Sequence, residues 1–153
     1  MNRIAIGTAN FNQKYGLIKS HVKKISSNKR LLNYINKNIR FIDTAESYKI
    51  DKNIIKTLRF KEKKIITKYK LPPKKKTLFV KKFKMKFSKD LKAFGVKKLE
   101  AVLFHNVNDL NNYHGLQLLK ILKNLKNEKK IKKIGVSIYN LKEADIALKT
   151  FKP

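Results

Sequence analysis

Six consecutive residues, Asp43 to Tyr48, hold two carboxylates, two hydroxyls and a phenol directly behind the strand-like run Ile39–Ile42. A buried strand that ends in convergent polar groups is how parallel α/β sheets build sites. Other strand-like runs end in chemistry as well. Gly7 and Thr8 follow Ile4-Ala5-Ile6, and Lys68 follows Ile65-Ile66-Thr67. His105 follows Leu99–Phe104, and Ser137 follows Ile131–Val136. No single strand end is diagnostic, and most lysines in a lysine-rich chain are solvated. An Asp, a Lys, a His and a nearby Tyr in successive units is a more specific set. A tyrosine of pKa about 10 is a poor acid near neutrality, and a neighbouring ammonium favours its phenolate. At about 4 Å and an effective dielectric of about 20 the interaction is roughly 4 kcal/mol, on the order of three pKa units before screening and desolvation. Asp43 would keep Lys68 charged and aimed. His105 would hydrogen-bond a carbonyl oxygen opposite Tyr48. Such a set polarises a C=O and protonates the alkoxide as hydride arrives at carbon. None of these residues supplies the hydride, so a reductive reaction requires a nicotinamide cofactor.

The elements that must position these residues alternate. Ile4–Thr8 reads as a short buried strand, and residues 10–24 as a loop. Ser26 or Ser27 can cap a helix to about Asn36, with Leu31, Leu32 and Ile35 on one face. Asp51 can cap a short helix carrying Ile54, Ile55 and Leu58. Lys64–Lys68 is a third strand, stopped by Leu71-Pro72-Pro73. A helix is expected over Thr77–Phe94, with Phe79, Phe83 and Phe87 as core packing and Gly95 as its C′ residue. Leu99–Phe104 is a fourth strand, Leu116–Asn127 a helix, and Ile131–Val136 contains a fifth strand. Asn140 and Glu143 form a capping box opening a last helix over Leu141–Thr150. The order βαβαβαβαβα at this spacing means parallel strands with helical crossovers. No linker or internal repeat divides the 153 residues.

Composition narrows the partners. The chain has no cysteine, hence no disulfide framework and no thiol metal site. His21, His105 and His114 are too dispersed for a metal centre, and His21 and His114 read as surface residues. No apolar run approaches the roughly 20 residues of a membrane span, and the N-terminus lacks the pattern of a signal peptide. The expectation is a soluble cytoplasmic protein with no membrane partner. Net charge is +29, from 39 basic and 10 acidic residues. Only four of the basic residues are arginines (Arg3, Arg30, Arg40 and Arg59), which leaves 35 lysines spread along the chain. Base readout and bidentate phosphate contacts favour arginine. Nucleic acid is therefore disfavoured, and the charge reads mainly as compositional bias. The competing function class is a basic, non-enzymatic protein that binds nucleic acid or another anion.

Five segments in order resemble strand ends of the aldo-keto reductases: Ile6-Gly7-Thr8-Ala9, Phe41–Tyr48, Ile66-Thr67-Lys68, Leu103–Asn106 and Lys133–Ser137. The resemblance covers nearly the full length. It implies an α/β chain of (β/α)8 TIM-barrel type, cut to about the first five βα units, with residues 1–153 as the N-terminal part of a single barrel domain. It implies reduction of a small-molecule aldehyde or ketone with NADP(H), or NAD(H). The family's catalytic tetrad would fall on Asp43, Tyr48, Lys68 and His105, with Tyr48 as general acid. Gly7, Thr8, Asp43 and Ser137 would face the cofactor, and no metal is involved. Many members place Asn after the Ser that holds the nicotinamide amide; here Ile138 follows Ser137. A full barrel needs about 250 residues, and the family's grip on the adenosine phosphate comes from later strands. The expected partners therefore include a C-terminal half-barrel or, through open sheet edges, a second copy of the chain, and the isolated chain is expected to be poorly active.

Overall fold

The computed structural model describes residues 4–9, 11, 28–48, 50, 52–72 and 78–151. The expected loop at 10–24 apart from Phe11, the caps Ser26, Ser27 and Asp51, residues Pro73 and Thr77, and His21 lie outside the described residues. Five strands run β1 (Ala5–Gly7), β2 (Phe41–Asp43), β3 (Lys64–Tyr69), β4 (Leu99–Phe104) and β5 (Ile131–Val136). Between and after them lie α1 (Lys29–Asn38), α2 (Lys52–Thr57), α3 (Phe79–Phe94), α4 (Tyr113–Asn127) and α5 (Leu141–Phe151). Short 3-10 turns precede α2 (Glu46–Tyr48), β3 (Phe60–Glu62) and α4 (Val107–Asp109).

All pairings are parallel, and the strand order is the sequence order, β1-β2-β3-β4-β5. Right-handed crossovers in an order that never reverses put every helix on one face of the sheet. A doubly wound sheet would instead reverse at a switch point. The architecture is that of five consecutive units of a (β/α)8 barrel wall, as the sequence implied. The helix-covered face carries Ile42, Ile65, Val102 and Phe104, all buried against Leu32, Ile35, Phe83, Phe87, Leu118 and Leu122. The opposite face, reached by the alternation of side chains along each strand, carries Phe41, Ile66 and Leu103, each only half-buried.

Helices α1, α4 and α5 begin where side chains satisfy the first free N–H groups. Asn28 Oδ1 accepts from Leu31 N–H at 3.0 Å, one residue past the expected serines. Asn112 Oδ1 accepts from Gly115 N–H at 2.7 Å. That cap starts α4 three residues ahead of its apolar pattern. It also corrects the surface reading of His114, which is 5% exposed. Its ring lies 4.6 Å from that of Phe79 on α3, and Nδ1 lies 3.0 Å from Gln117 Oε1. The capping box of α5 forms, with Glu143 N–H donating to Asn140 Oδ1 at 3.0 Å; Glu143 Oε2 reaches back one residue further than expected, to Tyr139 N–H.

Helix ends are equally determined. Lys63 Nζ donates to the carbonyls of Ile35, Asn36 and Ile39 at 3.3, 2.9 and 2.7 Å, closing the negative end of α1. Burial holds its ammonium below the usual lysine pKa. At α3, Gly95 takes φ 69°, and Val96 N–H returns to Leu91 O at 3.1 Å, the left-handed ending that glycine favours. The expected helix start at 77 becomes Phe79, behind Leu78 at φ 64°.

The strand β1 departs from expectation. Its apolar sequence predicts burial, yet Ala5 and Gly7 are exposed and Ile4 is 64% exposed, because no described strand lies beyond β1. The other edge is similarly open, with Leu141 85% exposed and α5 burying no side chain fully. No helix among the described residues is long and apolar enough to cross a membrane.

One glycine is fixed by packing. A Cβ on Gly115 would lie 1.6 Å from the carbonyl oxygen of Asp109, a backbone atom that cannot swing away. Gly115→Ala is expected to cost on the order of 3 kcal/mol. Gly7→Ala, whose Cβ would meet nothing among the described residues within 4 Å, is expected to stay within about 0.5 kcal/mol. Urea denaturation of both variants checks the contrast; equal midpoints would contradict the close approach.

Candidate active site

Asp43 ends β2, with Gly7 and Ile66 as its register partners. Lys68 stands two residues beyond Ile66 on β3, hence on the same face and diagonal to Asp43. The diagonal is closed: Lys68 Nζ lies 2.6 Å from Asp43 Oδ1 and 2.7 Å from Oδ2, and donates to Thr44 O at 3.2 Å. The ammonium, on a residue only 7% exposed, thus finds an acceptor for each of its three protons. A buried charge is tolerated only with such pairing.

The chain after Asp43 turns at once. Thr44 N–H donates to Ile66 O at 2.9 Å, and Tyr48 N–H to Ala45 O at 3.0 Å. This turn folds Tyr48 back until its ring lies 5.6 Å, centroid to Nζ, from Lys68. Tyr48 is buried. Three of the four expected catalytic residues therefore converge. The fourth, His105, follows β4 and is tied by its backbone N–H to Tyr69 O at 3.1 Å. Its pKa is depressed by burial first and by the Lys68 and Lys70 charges next, with Asp109 and Asp43 opposing. Its Nδ1 is buried and has no hydrogen-bond partner among the described residues. A neutral imidazole at neutral pH results.

The expected cofactor residues differ among themselves. Gly7 stands beside Asp43, and a Cβ on it would meet no atom of the described residues within 4 Å. Thr8 is 1% exposed, and its Oγ1 and N–H both donate to Asp43 O at 3.1 and 3.0 Å, so its hydroxyl is engaged within the chain. Ser137 is half-buried and held by its N–H on Phe104 O at 2.9 Å. Behind it, a Cβ on Gly135 would come within 2.9 Å of Leu103 Cδ2, so the side chain of its register partner Leu103 leans over the glycine. No group of three or more His, Cys, Asp or Glu able to hold a metal occurs among the described residues.

Sequence reasoning missed the Thr44 carbonyl and a polar chain on the outer side of β3, where Tyr69 donates to Asp90 Oδ2 at 2.7 Å. The i,i+4 spacing of Lys86 and Asp90, which pair at 3.1 Å, was the one readable signal. A cavity of about 580 Å³ lies on that side, lined by Glu46, Tyr69, Leu71, Phe79, Phe83 and Lys86 among others. None of Asp43, Tyr48, Lys68 or His105 lines it.

Residues 3–153 match the sequence model of the Aldo/keto reductase family. The chain belongs to that family. Similar solved structures include an aldo-keto reductase assignment from Pseudomonas aeruginosa (22% identity, TM-score 0.67, 95% of this chain and 59% of that one). An aldo/keto reductase from Brucella melitensis aligns at 18% identity and TM-score 0.55, over 84% and 52% of the two chains. An aldo-keto reductase complexed with NADPH aligns at 18% identity and TM-score 0.62, over 95% and 46%. No curated protein sequence matches. At these identities the structures establish the fold, of which the chain spans about half to three-fifths of their length.

Two measurements test the geometry. A double-mutant cycle of Asp43→Asn and Lys68→Met is expected to show a coupling on the order of 1–3 kcal/mol; additive effects would mean the pair does not form. For His105 the sign follows from its depressed folded pKa. The unfolded chain binds the proton more tightly, so His105 contributes stability above about 6.5 that is lost as pH falls below it. His105→Gln is expected to shrink the drop in urea midpoint between pH 7.5 and pH 5.5; an unchanged drop would place His105 in an ordinary solvated setting.

Proposed function

We propose that this chain carries the proton-transfer half of an NAD(P)H-dependent aldo-keto reductase, with NADP(H) favoured, and that residues 1–153 form the N-terminal part of one barrel domain. The observation that carries the reading is the buried Lys68 ammonium, clasped by Asp43 and facing the Tyr48 ring. Tyr48 gives its phenolic proton to the oxygen of an aldehyde or ketone as the carbonyl becomes an alcohol. Lys68 stabilises the phenolate left behind. Asp43 holds Lys68 charged and fixed. His105, neutral, donates a hydrogen bond to the same carbonyl oxygen and orients the substrate.

The residues present suit one end of the cofactor. Gly7 with no side chain, the Asp43 carboxylate and the Ser137 hydroxyl suit a nicotinamide ring and its amide. Bound NADP(H) would supply the hydride. No described residue set is arranged to grip the adenosine phosphate, although surface lysines attract it. Diffuse attraction does not fix hydride geometry, and small misplacements cost rate steeply.

The isolated chain is therefore expected to oxidise NADPH barely above background with a panel of aldehydes. Turnover is expected once three further βα units of a relative complete the barrel. In that complete barrel Tyr48→Phe should lower kcat by about 10²–10⁴-fold with the fold intact, since only the transferable proton is lost. Near-normal reduction by Tyr48→Phe would assign the acid elsewhere. A protein that merely binds anions would instead show steeply salt-dependent binding indifferent to Tyr48.

A further inference from the structure

We infer that Asp90, on α3 and away from the reacting atoms, is a positioning residue: it fixes the turn that carries Tyr48 relative to the strand that carries Lys68. The inference rests on the reading of Tyr48 as an acid assisted by Lys68. Tyr69 directly follows Lys68, and its side chain leaves the sheet on the opposite, helix-covered face. There its hydroxyl donates to Asp90 Oδ2 at 2.7 Å, and its ring packs edge-on against Phe83 at 5.0 Å. Tyr69 is only 2% exposed. Burial first, and Asp90 next, push its pKa far above the ordinary tyrosine value, so it remains a donor throughout any working pH.

Asp90 is held from the other side by Lys86, at 3.1 Å to Oδ1. The same ammonium lies 3.8 Å from Glu46 Oε1. Glu46 opens the 3-10 turn that ends in Tyr48. One carboxylate on α3 thus joins β3 just past Lys68 to the turn two residues before Tyr48. An exposed Glu–Lys pair alone carries little weight. Here the chain of contacts is anchored at one end by a buried phenol, which limits where Asp90, and through Lys86 the turn, can sit. Asp43 and Thr44 restrain the beginning of the turn, and Glu46 ties it further along to α3.

The test uses the 153-residue chain without cofactor. Absorbance titration of the phenolates, as the difference between the chain and Tyr48→Phe, isolates Tyr48. Lys68→Met is the reference and is expected to raise the Tyr48 midpoint. Asp90→Asn is expected to raise it by a third or more of that shift. The sign is decisive, because removing a negative charge would by itself favour the phenolate and lower the midpoint. Glu46→Gln is expected to act in the same direction, and adding it to Asp90→Asn to do little more. Lys86→Arg, which keeps the bridge, is expected to leave the midpoint near wild type. Urea melts of each variant separate repositioning from unfolding, and Glu46→Gln alone carries the test should Asp90→Asn unfold. A midpoint unchanged or lowered in Asp90→Asn and Glu46→Gln, with Lys68→Met still raising it, overturns the role of Asp90 and leaves the acid intact. No response to Lys68→Met overturns the assisted acid and the positioning role together.

Discussion

The register between β2 and β3 is the constraint on which the site depends. Asp43 opposite Ile66 puts Lys68 one diagonal away on the same face. A slip of one residue would send Lys68 to the helix side, where Tyr69 now lies. The register is protected on both faces. Ile42 and Ile65 pair beneath the helices with nearly no exposure. On the other face a buried ammonium would lose its carboxylate in any other alignment. Unpairing one partner of a buried ion pair is far more costly than forming the pair is favourable. The Asp43–Lys68 contact therefore selects an alignment more than it adds stability.

Much of this is legible in the amino-acid sequence. β4 is readable at its observed ends, because Leu99–Phe104 is a mostly apolar run between Lys98 and His105, and β5 fills the 131–136 segment expected to contain a strand. The Phe79-Phe83-Phe87 stripe announced α3, and Gly95 its end. The convergence of Asp43, Tyr48 and Lys68 followed from their places after strands. What sequence could not supply were contacts between elements. The depth of His114 depends on Phe79, 35 residues away. The engagement of the Thr8 hydroxyl depends on a carbonyl across the sheet. The openness of β1 depends on what lies beyond it, about which an Ile-Ala-Ile run says nothing.

The lysines show the same division. Compositional bias makes the type uninformative, and most of them are solvated. Lys68 and Lys63 show how far position can be read. Lys68 is identifiable because an apolar run places it. Lys63 is not, because its three carbonyl partners come from the end of a helix more than 20 residues earlier. Its role emerges only when α1 packs beside the start of β3.

The unreversed strand order also bears on how such a chain comes to be folded. Among the described residues every strand pairs only with its neighbours in sequence order. The sheet can therefore grow in the order of synthesis, each new unit adding to an edge already formed. No pairing in these five units waits for a distant segment, which keeps contacts comparatively local and loop-closure entropy small. In a closed barrel only the seam joining the last strand to the first escapes this rule. Nascent wall, with Asp43 and Lys68 already aligned, would exist before the ring is shut.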